Sequence, residues 1–181
     1  MGAFTLEDAA RRAGHHRWTE MRFFELMGGW VPGVAEPEAK IHLHVAARHH
    51  GWHAGLWADQ LPDADDGVRR LTVPPGEGIR SLFEALRGPD GAGTAEKLVA
   101  VYRVLLPHLV ATYRSELDGA SEVRDGPAIR VLRLVLRDEE EDWRRGELLV
   151  RSLLRSGDEI RRAAAHQGRL EAVLASAGGP P

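Results

Sequence analysis

Cysteine is absent from this 181-residue sequence, and lysine, aromatic residues and long apolar runs are scarce. Without a thiol the chain can form neither a disulfide framework nor a thiolate metal site, so any metal ligands would have to be imidazole or carboxylate groups. No apolar run approaches the roughly 18 residues needed to cross a bilayer. The first residues, MGAFTLEDAARRAGHH, also lack the basic-then-apolar order of a signal peptide. We therefore expect a cytoplasmic protein without a membrane segment.

The charge balance is slightly acidic, with a formal net charge of −3 at neutral pH. General nucleic-acid binding usually requires a basic domain, so this class of function is disfavoured. No glycine-rich phosphate loop, nucleophile elbow or zincin motif occurs, which disfavours nucleotide hydrolysis and serine or zinc peptidase chemistry. The length and the 43% of hydrophobic residues suit one globular domain over residues 1–181.

Helical periodicity runs through most of the chain, and no alternating strand pattern interrupts it. Thr5 and Asp8 form a capping-box pattern at the start of a first helix, which Gly28 and Gly29 are expected to end. Pro107 is expected to kink the third helix. The further predicted helices cover residues 36–60, 94–117, 127–154 and 158–175, and a frayed tail is expected at about 176–181.

A long segment, residues 63–93, separates the second predicted helix from the third. It is rich in glycine, proline and aspartate and carries one amphipathic stretch, GIRSLFEALRG. We interpret it as a surface connection with a short helix, and its length indicates a topological purpose. Two helices, a long connection and two more helices are the order of a bundle with one crossover. The sequence therefore predicts an all-α four-helix bundle with one long crossover between helices 2 and 3, which run parallel, plus a C-terminal fifth helix.

Histidines are concentrated in the second predicted helix, where five of the nine fall within twelve residues. His50 and His53 are three residues apart, and His49 and His53 are four apart. Either pair lies on one helical face and could chelate a metal ion. The alternative interpretation is a partly solvated face with one or two hydrogen-bonded core imidazoles. The spacing leaves open whether His49 or His50 faces the core.

Acidic residues interrupt an apolar stripe in the fourth predicted helix. Glu139 and Asp142 continue a line of apolar residues, and a buried carboxylate costs several kcal/mol unless it is paired or bound to a metal. Glu139, rather than Glu140 or Glu141, is predicted to point into the bundle. The alternative is that the whole acidic run is a solvated face paired with neighbouring arginines.

The first and third predicted helices each carry one polar residue on an apolar line, Glu20 and His108. Glu20 precedes His50 by thirty residues, and His108 precedes Glu139 by thirty-one. In both halves of the chain another polar residue follows three positions later. The alternatives are a surface ion pair for Glu20 and a structural hydrogen bond for His108.

This spacing resembles the ferritin-like superfamily, including rubrerythrins and diiron tRNA hydroxylases. In that family a Glu on one helix and Glu-x-x-His on the next recur across a long crossover. The resemblance covers residues 5–155 and implies a metal site inside the bundle. The positions that match the family pattern are Glu20, His53 and Glu139, and the altered positions are His50, His108 and Asp142. Because bridging carboxylates are among the altered ligands, the site could be mononuclear or dinuclear.

The first functional hypothesis is a non-haem metal oxidase or oxygenase that acts on an unknown small-molecule substrate. Iron suits imidazole and carboxylate ligands, while manganese, zinc and copper remain open. Because an imidazole must be neutral to bind a metal, affinity is expected to fall as the pH drops through roughly 6 to 5. The candidate ligands are Glu20, His49, His50, His53, His108, Glu139 and Asp142.

Two alternative functions remain. The string ARHHGWHAGLW is similar to the H-x-x-x-H segment of DinB-like helical bundles, whose three histidines bind one divalent metal in thiol-dependent transferases and isomerases. That resemblance implies His49 and His53 as ligands, with His108 or His42 as the third. The other alternative is a non-catalytic interaction module without metal, whose histidines and tryptophans form a partner or homodimer surface.

Overall fold

All regular secondary structure in the described part of the chain is helical, and no strand occurs there. The computed structural model describes residues 5–63, 66–88 and 92–176, so the predicted tail lies outside the described residues apart from its first position. The helices are α1 (Leu6–Trp30), α2 (Pro37–Ala58), α3 (Gly67–Leu71), α4 (Glu77–Arg87), α5 (Thr94–Val99), α6 (Leu106–Gly119), α7 (Gly126–Leu153) and α8 (Gly157–Ser176). The predicted all-α class is confirmed. None of these helices combines the length and apolarity that a bilayer span requires.

The first helix begins with the predicted capping box. The Thr5 hydroxyl accepts a hydrogen bond from the Asp8 backbone N–H at 3.1 Å, and the Asp8 carboxylate accepts one from the Thr5 N–H at 3.1 Å. Two of the helix's unpaired N–H groups are thereby satisfied. Helix α2 begins at Pro37, whose fixed φ suits the first helical position.

Contacts between side chains give the relative directions of the long helices. Along α1 and α2, Arg17 donates to the Ala54 carbonyl, while Gly28 lies near Ala47. Early residues of one helix thus meet late residues of the other, so the two are antiparallel. The same reversal relates α1 to α6, α6 to α7, and α2 to α7. Between α1 and α6 the contacts are His16–Glu116 and Tyr113–Glu20. Toward α7 they are Arg114–Glu140 from α6 and Arg103–Glu147 from the segment just before α6. Between α2 and α7 they are His49–Asp142 and His53–Asp138.

The connection between α2 and α5 is more buried than the sequence predicts. Its described residues contain two helices, α3 and α4, rather than one, and α4 packs into the core through Leu82, Phe83 and Leu86. The Phe83 ring meets the Phe23 ring of α1 edge-on, with 5.2 Å between centroids. The interpretation of this segment as a surface connection was therefore wrong, because these three residues form one apolar face that packs inward.

A π-helical segment, Ala100–Leu105, joins α5 to α6 next to the predicted kink at Pro107. Proline has no N–H, so regular α-helical hydrogen bonding cannot continue through it. A π-helical turn takes more residues than an α-helical one and shifts every later side chain around the helix. In the structure Leu109 and Tyr113 are buried, whereas His108 is half-buried. The inward-facing stripe of α6 therefore lies one residue later than a regular helix predicts.

Candidate metal centre

Four potential metal ligands meet in the core. They are Glu20 from α1, His50 and His53 from α2, and Glu139 from α7, each no more than 1% exposed. One ligand atom from each lies within 4.8 Å of the other three. Within the described part of the chain this is the only such group of three or more potential ligands. The prediction that Glu139, rather than Glu140 or Glu141, points inward is confirmed. Glu140 and Glu141 are partly exposed and pair with arginines.

The two imidazole rings direct their Nδ1 atoms at the two carboxylates. His50 Nδ1 lies 2.6 Å from Glu20 Oε2 and 3.2 Å from Glu139 Oε1. His53 Nδ1 lies 2.9 Å from Glu139 Oε1 and 3.7 Å from Glu20 Oε2. Nitrogen and oxygen thus alternate around one point. With metal–ligand bonds of about 2.1 Å, two ligand atoms on opposite sides of an ion are about 4.2 Å apart. The four ligand atoms lie within 4.8 Å of one another, so small side-chain movements would let all four bind one ion.

Two further side chains hold the ligands in place from outside the cluster. The Tyr113 hydroxyl donates to Glu20 Oε1 at 2.5 Å, and His53 Nε2 lies 3.3 Å from Asp138 Oδ2. A metal-binding imidazole commonly donates its second N–H to a carboxylate, which fixes the orientation of the ring. Neither residue is among the candidate ligands predicted from the sequence. Asp138 directly precedes Glu139, and Tyr113 continues the apolar stripe of α6 once the π-helical shift is allowed for.

Among the described residues, several buried side-chain polar atoms, in the cluster and elsewhere, have no hydrogen-bond partner. They include His50 Nε2, Glu139 Oε2 and the Tyr102 hydroxyl. The Tyr102 ring packs so closely on α7 that a Cβ at Gly146 would lie 2.3 Å from it. An unpaired buried polar group costs about 1–3 kcal/mol. At His50 and Glu139 a bound ion or water would supply the missing partner.

The charges of the four residues are mutually compensating. Burial alone would lower the pKa of His50, but the carboxylates of Glu139 and Glu20 raise it to about 10. Burial likewise opposes the charge on His53, yet its hydrogen bonds to the same carboxylates raise its pKa to about 11. Burial would raise the pKa of Glu20, and the two histidines lower it to about 2.

Both rings are therefore positively charged imidazolium groups, protonated on both nitrogens, at neutral pH when no metal is bound. A metal ion at Nδ1 has to displace one proton from each ring. Protons thus compete with the metal at a higher pH than the range of 6 to 5 expected from an unperturbed imidazole. The site exchanges two protons for one divalent ion, and its net charge stays the same.

Two other candidate ligands, His49 and Asp142, form a separate pair. His49 Nδ1 lies 2.7 Å from Asp142 Oδ2, with the imidazole partly exposed and the carboxylate buried. Neither residue belongs to the four-residue group. Of the two adjacent histidines, His50 is the one that faces the core.

The remaining candidate, His108, lies apart from the cluster. It lines a cavity together with Thr19 and Glu116, because the π-helical shift turns it away from the inward-facing stripe of α6. The structure does not bring His49, His53 and His108 together as a ligand set, nor does it include His42 in one, among the residues described. The ligand sets implied by the DinB-like resemblance are therefore not assembled.

Comparison with known proteins adds no further assignment. The chain gives no match to protein-family models, to curated proteins or to solved structures. The two resemblances therefore rest on the sequence pattern alone, and the candidate metal centre rests on its geometry.

Proposed function

We propose that this chain binds one divalent metal ion through Glu20, His50, His53 and Glu139. The observation that carries the proposal is the convergence of four buried ligand atoms within 4.8 Å of one another. Imidazole and carboxylate ligands suit iron, manganese and zinc. One ion is proposed rather than two because paired ions lie about 3.5–4 Å apart and are clamped from both sides, whereas these four atoms face a single point.

The proposed arrangement is a four-helix bundle of α1, α2, α5–α6 and α7 with one crossover, and α8 as the fifth helix. Its support is the antiparallel contacts: α1 opposes both α2 and α6, so α2 and α6 run in the same direction. A chain that leaves α2 and enters a parallel neighbour has to return along the bundle, as in ferritin-like proteins. Helix α8 packs on α5 and α4, outside the ligand-bearing helices.

We further propose a non-haem oxidase or oxygenase, with iron as the metal. Iron would supply the redox chemistry, and the protein residues have defined tasks. The charges of Glu20 and Glu139 balance a divalent ion in a buried site, where an unbalanced charge is costly. The Tyr113 hydroxyl holds the Glu20 carboxylate through Oε1, the oxygen that is not bonded to His50, and Asp138 orients His53.

A metal-free bundle is the second candidate, and the charge balance favours it. Two imidazolium groups and two carboxylates compensate one another without an ion. In this case the cluster would be a structural ion-pair network, and the protein would be a non-catalytic interaction module. The two candidates differ in whether a metal stabilises the native state.

Thermal melting of tag-free protein with iron(II), manganese, zinc and copper ions separates them. A metal that binds only the native state raises the melting temperature by mass action. We expect one ion per chain by elemental analysis and a higher melting temperature with at least one of the metals. The change His50→Ala with His53→Ala removes both effects, while His44→Ala, at an exposed position on the same helix, preserves them. No bound metal and a flat thermal response to all four ions would contradict the proposal.

A further inference from the structure

A cavity of about 320 Å³ lies between α1, α4 and α6. This volume is near the lower end of the range for small-molecule sites. Phe23, Phe83 and Leu109 contribute apolar surface, and His15, His108 and Glu116 contribute polar groups. A mainly apolar wall with a few polar groups is the usual composition of a ligand pocket.

The cavity adjoins the candidate metal centre. Phe23 lines the cavity, and its ring stacks on the His50 ring with 4.4 Å between centroids and 17° between planes. On the same side, His16 lines the cavity and packs against Tyr113, which binds Glu20. One layer of aromatic rings therefore separates the cavity from the metal ligands.

Charged groups at the cavity are already compensated. Glu116 Oε2 lies 2.8 Å from His16 Nε2, and its pKa stays below the ordinary value although burial opposes this, because His16 and Arg12 stabilise the carboxylate. A carboxylate on the ligand would be repelled by Glu116, and a cationic group would be repelled by Arg12. An uncharged ligand avoids both repulsions.

Two imidazoles at the cavity are available for hydrogen bonds. Within the described part of the chain, neither His15 nor His108 has a side-chain hydrogen-bond partner. Burial lowers the pKa of both, so at neutral pH each ring is uncharged and offers one donor and one acceptor. A hydroxyl group, which both donates and accepts, complements such a ring.

We propose that this cavity binds a small uncharged molecule with a single-ring apolar body and one hydroxyl group. The ring packs against Phe23 and Phe83, and the hydroxyl bonds to an imidazole of His15 or His108. Binding itself does not depend on the metal. That the molecule is the substrate of the metal centre rests on the proposed function.

The test titrates three probes into the metal-free full-length chain by calorimetry: 4-propylphenol, propylbenzene and 4-propylbenzoate. We expect 4-propylphenol to bind with one-to-one stoichiometry and about tenfold more tightly than propylbenzene, which lacks the hydrogen-bonding group. The charged 4-propylbenzoate is expected to bind most weakly. No binding of 4-propylphenol at millimolar concentration, or tighter binding of 4-propylbenzoate, would overturn the proposal.

Variants locate the site. Ile79 lines the cavity from α4, so Ile79→Trp should fill it and abolish 4-propylphenol binding. Ile160→Trp, at an exposed position on α8, should not. The double change His15→Leu, His108→Leu should remove the preference for the phenol over propylbenzene. Binding that survives Ile79→Trp would place the probe elsewhere and refute the assignment.

Two further measurements test the site if Ile79→Trp does not fold and separate probe binding from metal binding. If Ile79→Trp fails to fold, the ring resonances of His15 and His108 in the unmodified protein should shift on addition of 4-propylphenol, and unshifted resonances would refute the site. The variant His50→Ala, His53→Ala should still bind the probe. Absence of metal binding in the unmodified protein, with probe binding retained, would count against the proposed function alone.

Discussion

The two helical hairpins contribute unequally to the candidate metal centre. The α1–α2 hairpin supplies Glu20, His50 and His53, whereas the α6–α7 hairpin supplies only Glu139. The difference originates in the π-helical segment before α6, which turns His108 outward and brings Tyr113 inward. Residue spacing thus predicts a site only where the helix that carries it stays regular.

Charge nevertheless makes the two hairpins interdependent. In the metal-free protein the first hairpin alone would bury two imidazolium groups against one carboxylate. Glu139 supplies the missing negative charge at 2.9 Å from His53 and 3.2 Å from His50. We therefore expect the single ligand of the α6–α7 hairpin, Glu139, to be as necessary for the cluster as the three ligands of the α1–α2 hairpin.

Removing the charge of Glu139 should have the largest effect. In the metal-free protein Glu139→Gln leaves a buried imidazolium uncompensated, and breaking a buried ion pair costs about 3–5 kcal/mol. The variant should also lose bound metal. Glu140→Gln, which removes a surface ion pair with Arg114, should cost less than about 1 kcal/mol and leave metal content unchanged. Equal effects of the two changes in urea denaturation and elemental analysis would show that Glu139 has no special role.

The stability of the metal-free protein should depend on pH through the α1–α2 hairpin. The pKa of His50 is raised from 6.5 to about 10, so its stabilising contribution is complete below pH 6.5 and is lost as the pH rises through 10. The pKa of Glu20 is lowered from 4.5 to about 2, so its contribution is complete above pH 4.5 and is lost as the pH falls through 2. The site should therefore stabilise the protein most between pH 4.5 and 6.5. Denaturation of the chelator-treated protein from below pH 4.5 up to pH 10, with His50→Ala, His53→Ala as the control, checks the prediction. Stability that rises from pH 6.5 to 10 would contradict it.

The contrast between Tyr113 and His108 tests the π-helical shift directly. Tyr113→Phe removes the hydrogen bond to Glu20 Oε1, and loss of such an outer contact typically lowers metal affinity about 10–100-fold. His108→Leu should leave the affinity unchanged, because His108 faces the cavity. Competition with a metal-binding dye measures both. The reverse order of effects would restore His108 as a ligand and refute the observed register of α6.

Much of the fold and the core of the site follow from residue patterns. The five long predicted helices, the capping box at Thr5 and the inward position of Glu139 are periodic or local signals, which a sequence displays directly. Two features were not predictable in this way. The shift at Ala100–Leu105 depends on how the chain accommodates Pro107, and the burial of α4 depends on which neighbour covers its apolar face.

A smaller effect is expected from glycines in the two hairpins. Gly146→Ala would place a Cβ 2.3 Å from the buried Tyr102 ring, and overpacking of this kind costs about 1–3 kcal/mol. Gly55→Ala on α2 meets nothing within 4 Å and should stabilise the helix by about 0.5–1 kcal/mol. Melting temperatures should therefore move in opposite directions. A tolerated Gly146→Ala would show that the π-helical segment does not pack tightly on α7.

The most direct test of the metal centre counts protons released when metal binds. Because His50 and His53 both carry a proton at neutral pH in the metal-free protein, binding of one ion should release about two protons, and affinity should fall on the order of 100-fold per unit decrease in pH near neutrality. Glu20 is already ionised and should release none. Titration of iron(II) or zinc into weakly buffered protein with a pH indicator gives the number. About two protons per bound ion, absent in His50→Ala with His53→Ala, is the predicted result. Metal uptake without proton release, or equal release in that variant, would show that the ion binds elsewhere.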